Sequence, residues 1–139
     1  DYTLRAFPNH HRALYSMLRY YVERVPRGAN PLYYSADCYF KRAIEFSPAD
    51  ATARLLQGIY FLKIDRPENA RLSFDAALVL APNSAEIHYN AGLGFIELKE
   101  YDLALEHAHR AYELGFPLPG LKHRLMRIGV WEDNPETTN

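Results

Sequence analysis

The chain has 139 residues, 48% hydrophobic and 24% charged, a balance that suits one folded domain and is too apolar for a disordered polymer. Sixteen Lys+Arg against 17 Asp+Glu leave a formal charge of −1, so bulk electrostatics gives no reason to expect nucleic acid as a partner. The single cysteine, Cys38, excludes an intrachain disulfide, and the absence of any run of about 18 apolar residues argues against membrane insertion.

The charge is uneven along the chain. Residues 1–42 hold seven basic groups against three acidic, and residues 43–139 hold nine against fourteen. Residues 1–10 (DYTLRAFPNH) end on Phe7-Pro8-Asn9 as a later segment ends on Ala81-Pro82-Asn83, and are expected to close a preceding repeat or form a linker. The opening Asp1 suggests a start partway through a longer protein. No targeting segment is visible, so the sequence assigns no compartment.

Residues 11–24 (HRALYSMLRYYVER) place Leu14, Met17, Leu18 and Tyr21 at helical spacing, and Ala36, Phe40, Ala43 and Pro48 supply a second helix with its end. Between them Pro26, Gly28 and Pro31 forbid a continuous helix, which predicts an enlarged loop around Val25–Pro31 inside a helical pair over 11–50. Cys38 falls in the second helix, where a small buried apolar role is expected.

Residues 51–84 and 85–118 align without gaps over 34 positions: Gly58 falls on Gly92, Phe61 on Phe95, Ala70 on Ala104 and Ala77 on Ala111. Glycine and alanine stand where two helix backbones must approach, and an aromatic fills the adjoining gap. Asp50 and Ser84 can cap helices starting at 51 and 85, Pro67 sits near a third start, and Gly115 with Pro117 ends a fourth. Glu106 and Arg110, four apart, predict a surface ion pair worth about 0.2–0.5 kcal/mol.

Residues 119–131 put Leu121, Leu125 and Ile128 on one stripe, with Lys122, Arg124 and Arg127 on other faces, as in an amphipathic closing helix that caps the stack. Residues 132–139 (EDNPETTN) read as a frayed tail.

These blocks resemble the tetratricopeptide repeat, whose pattern wants a small residue at position 8, aromatics at 11 and 24, alanines at 20 and 27 and proline at 32. The first block has all six, as Gly58, Phe61, Ala70, Phe74, Ala77 and Pro82. The second departs twice, with Ala108 at the aromatic position and Phe116 where proline is wanted. The resemblance implies an all-α, right-handed helical-repeat solenoid of about three repeats (11–50, 51–84 and 85–118) plus the capping helix.

It also implies a binding surface. Partners of the family usually lie in the concave groove lined by the first helix of each repeat. Carried over by position, that groove holds Arg12, Tyr15 and Arg19 from the first repeat, Leu55, Ile59 and Leu62 from the second, and Tyr89, Asn90, Leu93 and Ile96 from the third. The lysine–asparagine–arginine clamp with which one branch grips a terminal carboxylate is absent, and the surface is mostly apolar.

Catalysis is not indicated. His10/His11 are adjacent and His107/His109 are two apart, and neither spacing puts both rings on one helix face as i, i+4 would. No HExxH, phosphate loop or GxSxG elbow occurs. The sequence therefore predicts a non-enzymatic protein-interaction scaffold with no cofactor and no metal, binding a peptide or helical segment; the alternative is a homo-oligomerisation module of a larger protein.

Overall fold

A computed structural model of the chain describes residues 2–8, 10–24 and 36–135. Their regular structure is entirely helical: α1 (Tyr2–Ala6), α2 (His11–Arg24), α3 (Ala36–Phe46), α4 (Ala51–Lys63), α5 (Pro67–Leu80), α6 (Ala85–Glu97), α7 (Tyr101–Glu113) and α8 (Gly120–Ile128). The enlarged loop expected around Val25–Pro31 lies outside the described residues, as does the last part of the expected tail, 136–139. The chain divides into two compact units, Asp1–Leu80 and Ala81–Asn139, each taken separately below.

The helix starts follow from local side chains. Asp50, in extended backbone, accepts the Ala53 amide at 3.0 Å through Oδ1, and Ser84 Oγ accepts the Ile87 amide at 3.3 Å. Each cap satisfies an amide that the first turn leaves without an intrahelical partner. Pro67 opens α5, where its missing N–H costs nothing.

The helix ends repeat one device. After α4, the Arg66 amide donates to the Phe61 carbonyl and the Asp65 amide to Leu62; after α6, Glu100 donates to Phe95 and Lys99 to Ile96. This is a Schellman arrangement, which needs a left-handed residue just past the helix. Asp65 (φ 61°) and Lys99 (φ 59°) supply it at the same repeat position, while Gly115 (φ 91°) and Gly129 (φ 89°) do so after α7 and α8.

In the unit Asp1–Leu80, α4 and α5 form a hairpin around Phe74, Ala53, Ala70 and Ala77, all with essentially no exposure. A methyl group on Gly58 would sit 2.6 Å from the Phe74 ring, so the two helices are closer than any side chain at 58 would allow. Leu4 of α1, Leu14 of α2 and Phe40 of α3 complete this core, with Phe40 and Tyr60 rings 5.4 Å apart. Cys38 is half-buried, not the enclosed apolar residue expected, because its α3 neighbours Tyr39 and Phe40 face inward.

In the unit Ala81–Asn139, α6 and α7 repeat the hairpin with a substitution in its logic. Ala108 stands where the preceding repeat has Phe74, and the space over Gly92 is filled from outside the repeat: Leu121 Cδ2 of α8 lies 2.7 Å from where a Gly92 methyl would sit. Leu121 and Leu125 are fully buried. Phe116, in the place of the repeat proline, stacks on Tyr89 with centroids 4.0 Å apart. Both departures from the pattern thus have packing partners. The expected Glu106–Arg110 pair does not form; Arg110 turns to Asn83 (3.0 Å) and Glu113 (3.5 Å). Nor are residues 132–135 frayed: His109 Nε2 donates to the Glu132 carbonyl, and Asn134 donates to Glu113 at 2.7 Å.

Candidate functional site

The residues that sequence spacing assigns to a groove separate by exposure. In the unit Asp1–Leu80, α2 is amphipathic. It buries Ala13, Leu14, Met17 and Leu18 and turns Arg12, Tyr15 and Arg19 outward. Tyr15 is 49% exposed, a large apolar ring left in water. Arg19 is tied to Glu23 at 3.1 Å, and that carboxylate raises the guanidinium's affinity for its proton, first by hydrogen bonding and then by charge.

On α4, Leu55 is 4% exposed and belongs to the core, whereas Ile59 and Leu62 stay half-buried. The apolar side chains presented on the predicted face of this unit are therefore Tyr15, Ile59 and Leu62. Tyr60 is buried, and desolvation, then the charge of Asp37, lifts its phenol above the ordinary range.

In the unit Ala81–Asn139, Tyr89 and Ile96 of α6 are buried. The Tyr89 ring is committed to the fold, stacked on Phe116 and edge-on to Tyr112 at 6.5 Å, with Gly120 drawn so close that a methyl there would meet the Tyr89 hydroxyl. It does not stand as a free anchor. Asn90 and Leu93 are half-buried, and Asn90 spends one amide proton on the Glu86 carbonyl at 2.9 Å.

Two features of this unit escape sequence spacing. One is an aromatic cluster at its C-terminal end. Trp131 packs edge-on to His109 (4.9 Å) and Tyr112 (6.2 Å), under the Lys122 ammonium at 5.0 Å. It lines a cleft of about 420 Å³ with Phe116, Pro117 and Pro119. The Tyr112 hydroxyl donates to the Leu118 carbonyl and accepts the Lys122 amide, and burial raises its phenol.

The other is a histidine pair. His88 of α6 and His107 of α7 meet with Nδ1 atoms 3.0 Å apart. A search for two histidines on one helix passes over them; laying positions 4 and 23 of the same repeat side by side would have found them. In the preceding repeat, position 23 is Ser73, also buried, whose hydroxyl donates to Gln57 Oε1 at 3.3 Å. The inter-helix seam is polar in both hairpins.

Among the described residues no group of three or more His, Cys, Asp or Glu converges as a metal-ligand set, and no helix is long and apolar enough to cross a membrane. What the geometry offers is helix surface with part-exposed aliphatic and aromatic side chains, bordered by cations on α2.

A family model described as tetratricopeptide repeat matches residues 36–85 and 55–115. The chain is also similar to Protein O-mannosyl-transferase TMTC3 of Homo sapiens, 32% identical over 116 residues, which is 81% of this chain and 12% of that protein. The Mus musculus protein of the same name is 32% identical over 101 residues, 71% of this chain and 10% of its own length. The chain spans about a tenth of the length of these relatives.

Proposed function

The chain belongs to the tetratricopeptide repeat family, whose repeats generally mediate protein–protein interaction, and from that premise we propose that it binds a peptide or helical segment of another protein on the outward faces of its first helices. In the unit Asp1–Leu80 these are Arg12, Tyr15 and Arg19 of α2 with Ile59 and Leu62 of α4; in the unit Ala81–Asn139, Asn90 and Leu93 of α6. Leu55, Tyr89 and Ile96 support those surfaces from beneath.

The observation that carries this reading is the incomplete burial of Ile59, Leu62 and Leu93 on helices whose neighbouring side chains close a core. Full burial of one such side chain is worth about 1.5–3 kcal/mol, and these are half-covered already, so each adds about half of that. Tyr15 combines apolar area with a hydroxyl, a favoured anchor at interfaces. The contact set suits a modest, reversible grip.

In this reading the segment is not itself an enzyme. Within a longer protein of the kind the relatives are named for, it would hold a polypeptide and leave any transfer of mannose to other parts. A displayed library of helical and extended peptides panned on the chain tests this. Ile59→Asp with Leu93→Asp should lose the selected peptides by more than about tenfold while the circular dichroism is unchanged. Undiminished binding by the double variant would place the surface elsewhere.

A second reading has its own observation. Leu72 and Val79, seven apart on α5, are 68% and 79% exposed on one helix face, an apolar stripe of the kind that joins copies of a chain. Light scattering over about a hundredfold range of concentration decides: mass that grows with concentration and reverts on Val79→Glu favours self-association, and a constant 16.1 kDa species rejects it.

A further inference from the structure

The outer faces of α5 and α7 hold the same positions in successive repeats, and one of them already carries a length of chain. On α7, His109 Nε2 donates to the Glu132 carbonyl, and Asn134 donates to Glu113 at 2.7 Å. The segment from Trp131 to Asn134 is not helical. His109 and Glu113 are about 6 Å apart along the helix axis, and Glu132 and Asn134 cover that distance in two residues, as extended backbone at about 3.3 Å per residue does. An extended segment therefore runs along this face of α7.

The equivalent face 34 residues earlier is differently made. Leu72, Ala76 and Val79 stand where α7 has Glu106, Arg110 and Glu113. Leu72 and Val79 are the most exposed large apolar side chains among the described residues. Arg54 of α4 stands where α6 has His88, and His88 lines one cleft of about 400 Å³ with Glu106, Arg110, Glu113 and Asn134. Arg54 is half-buried; its Nε is enclosed without a hydrogen-bond partner, and no carboxylate among the described residues pairs with its guanidinium. A buried donor left unpaired carries its full desolvation penalty, so an incoming acceptor gains the bond and removes that penalty together.

We propose that the outer face of α5, with Arg54 beside it, docks a short extended segment of another protein that presents two apolar side chains and a carboxylate. The apolar pair rests on Leu72 and Val79, about 10.5 Å apart along α5, the reach of about three extended residues. The carboxylate takes the Arg54 guanidinium, whose forked N–H groups match its two oxygens. Arg71 and Asp75 of α5 already pair with each other at 3.8 Å. Glu68 lies at the far end of the face, because the antiparallel hairpin brings the start of α4 beside the later turns of α5. Arg54 thus sets the sign of the charge beside Val79. The self-association reading uses the same two side chains and differs in the occupant: a stable interface covers roughly 800 Å² per partner, so a second copy needs contacts beyond this stripe, whereas a short peptide does not.

A displayed library of short peptides, each with a central proline to exclude helix, panned on the whole chain tests this. Peptides are expected whose affinity falls by about tenfold or more on Val79→Glu, the same on Arg54→Gln, and not at all on Ile59→Asp with Leu93→Asp, which separates this face from the first-helix surface. Replacing the peptide's own acidic residue by its amide should lose as much, and should lose nothing further against Arg54→Gln, as a direct pair requires. Val79 is exposed, so its substitution leaves the fold intact. If Arg54→Gln fails to fold, Val79→Glu and the amide peptides decide. A library that yields no peptide sensitive to Val79→Glu, or sensitive peptides that bind as well with the acidic residue removed, would overturn the proposal. So would mass that grows with concentration and reverts on Val79→Glu but not on Arg54→Gln, which gives the face to a second copy.

Discussion

Changing Gly92 to alanine should have opposite effects in two backgrounds, because of one side chain from outside its repeat. In the wild type the new methyl would lie 2.7 Å from Leu121 Cδ2, well inside the ordinary carbon–carbon contact of about 3.5–4.0 Å. Leu121 is fully buried and gives way only by displacing its neighbours, so overpacking costs about 1–3 kcal/mol. The gain from replacing a helical glycine, about 0.8–1.0 kcal/mol, offsets only part of this. Leu121→Ala alone should cost about 2–5 kcal/mol for the deleted bulk and the cavity left behind. In that background the offending atom is gone, the nearest remaining atom is the Ala104 carbonyl oxygen at an unstrained 3.5 Å, and Gly92→Ala should stabilise by about 1 kcal/mol. Urea unfolding followed by the fluorescence of Trp131, the sole tryptophan and a member of this unit, gives all four corners of the cycle. The expected coupling is about 1–3 kcal/mol. Equal effects of Gly92→Ala in both backgrounds, within about 0.5 kcal/mol, would refute the contact as the reason for the glycine.

Gly58→Ala should be net destabilising by up to about 2 kcal/mol in denaturant melting, because overpacking against the rigid, fully buried Phe74 ring at 2.6, 2.8 and 3.1 Å costs about 1–3 kcal/mol and the helical gain of about 0.8–1.0 kcal/mol offsets only part of it. Lys99→Gly should stabilise by about 0.5–1 kcal/mol in the same assay: removing a left-handed lysine relieves about 1–2 kcal/mol, and the freer unfolded chain takes back about 0.4–1. Tyr21, Tyr60 and Tyr112 have phenols raised above 10, chiefly by burial, so spectrophotometric titration should show late-ionising tyrosines, one fewer in Tyr60→Phe. The sign is that of a raised acid: its stabilisation is whole below pH about 10 and disappears as pH climbs through the folded value.

The 34-residue period makes much of the helical scaffold legible in the order of residues alone, because close helix approach leaves a narrow choice of side chains: Gly58 under Phe74, Ala70 and Ala77 at zero exposure, Asp50 and Ser84 at helix starts. Surface pairing is less legible. Glu106 and Arg110 have suitable spacing, yet a flexible guanidinium within reach of Asn83 and Glu113 settles there. The candidate surface is half legible. Position in the repeat says which side of a helix a residue occupies but not how deep it lies, so Ile59 stays half-buried, whereas Tyr89 disappears under Phe116, the residue that breaks the proline rule. The histidine pair is hidden because its members are 19 residues apart on different helices.

The seat of Leu121 over Gly92 also separates two ideas of a boundary. By sequence period, residues 85–118 are a finished copy of the motif, and an engineer assembling arrays would cut after 118. Physically that copy is unfinished: the preceding copy covers its glycine with an aromatic from inside its own 34 residues, whereas this one covers Gly92 with a leucine borrowed from the helix that follows. The transferable part is therefore 85–128. An array built from 85–118 alone would carry an open notch at every joint, and would need an aromatic restored at 108 before it could be multiplied.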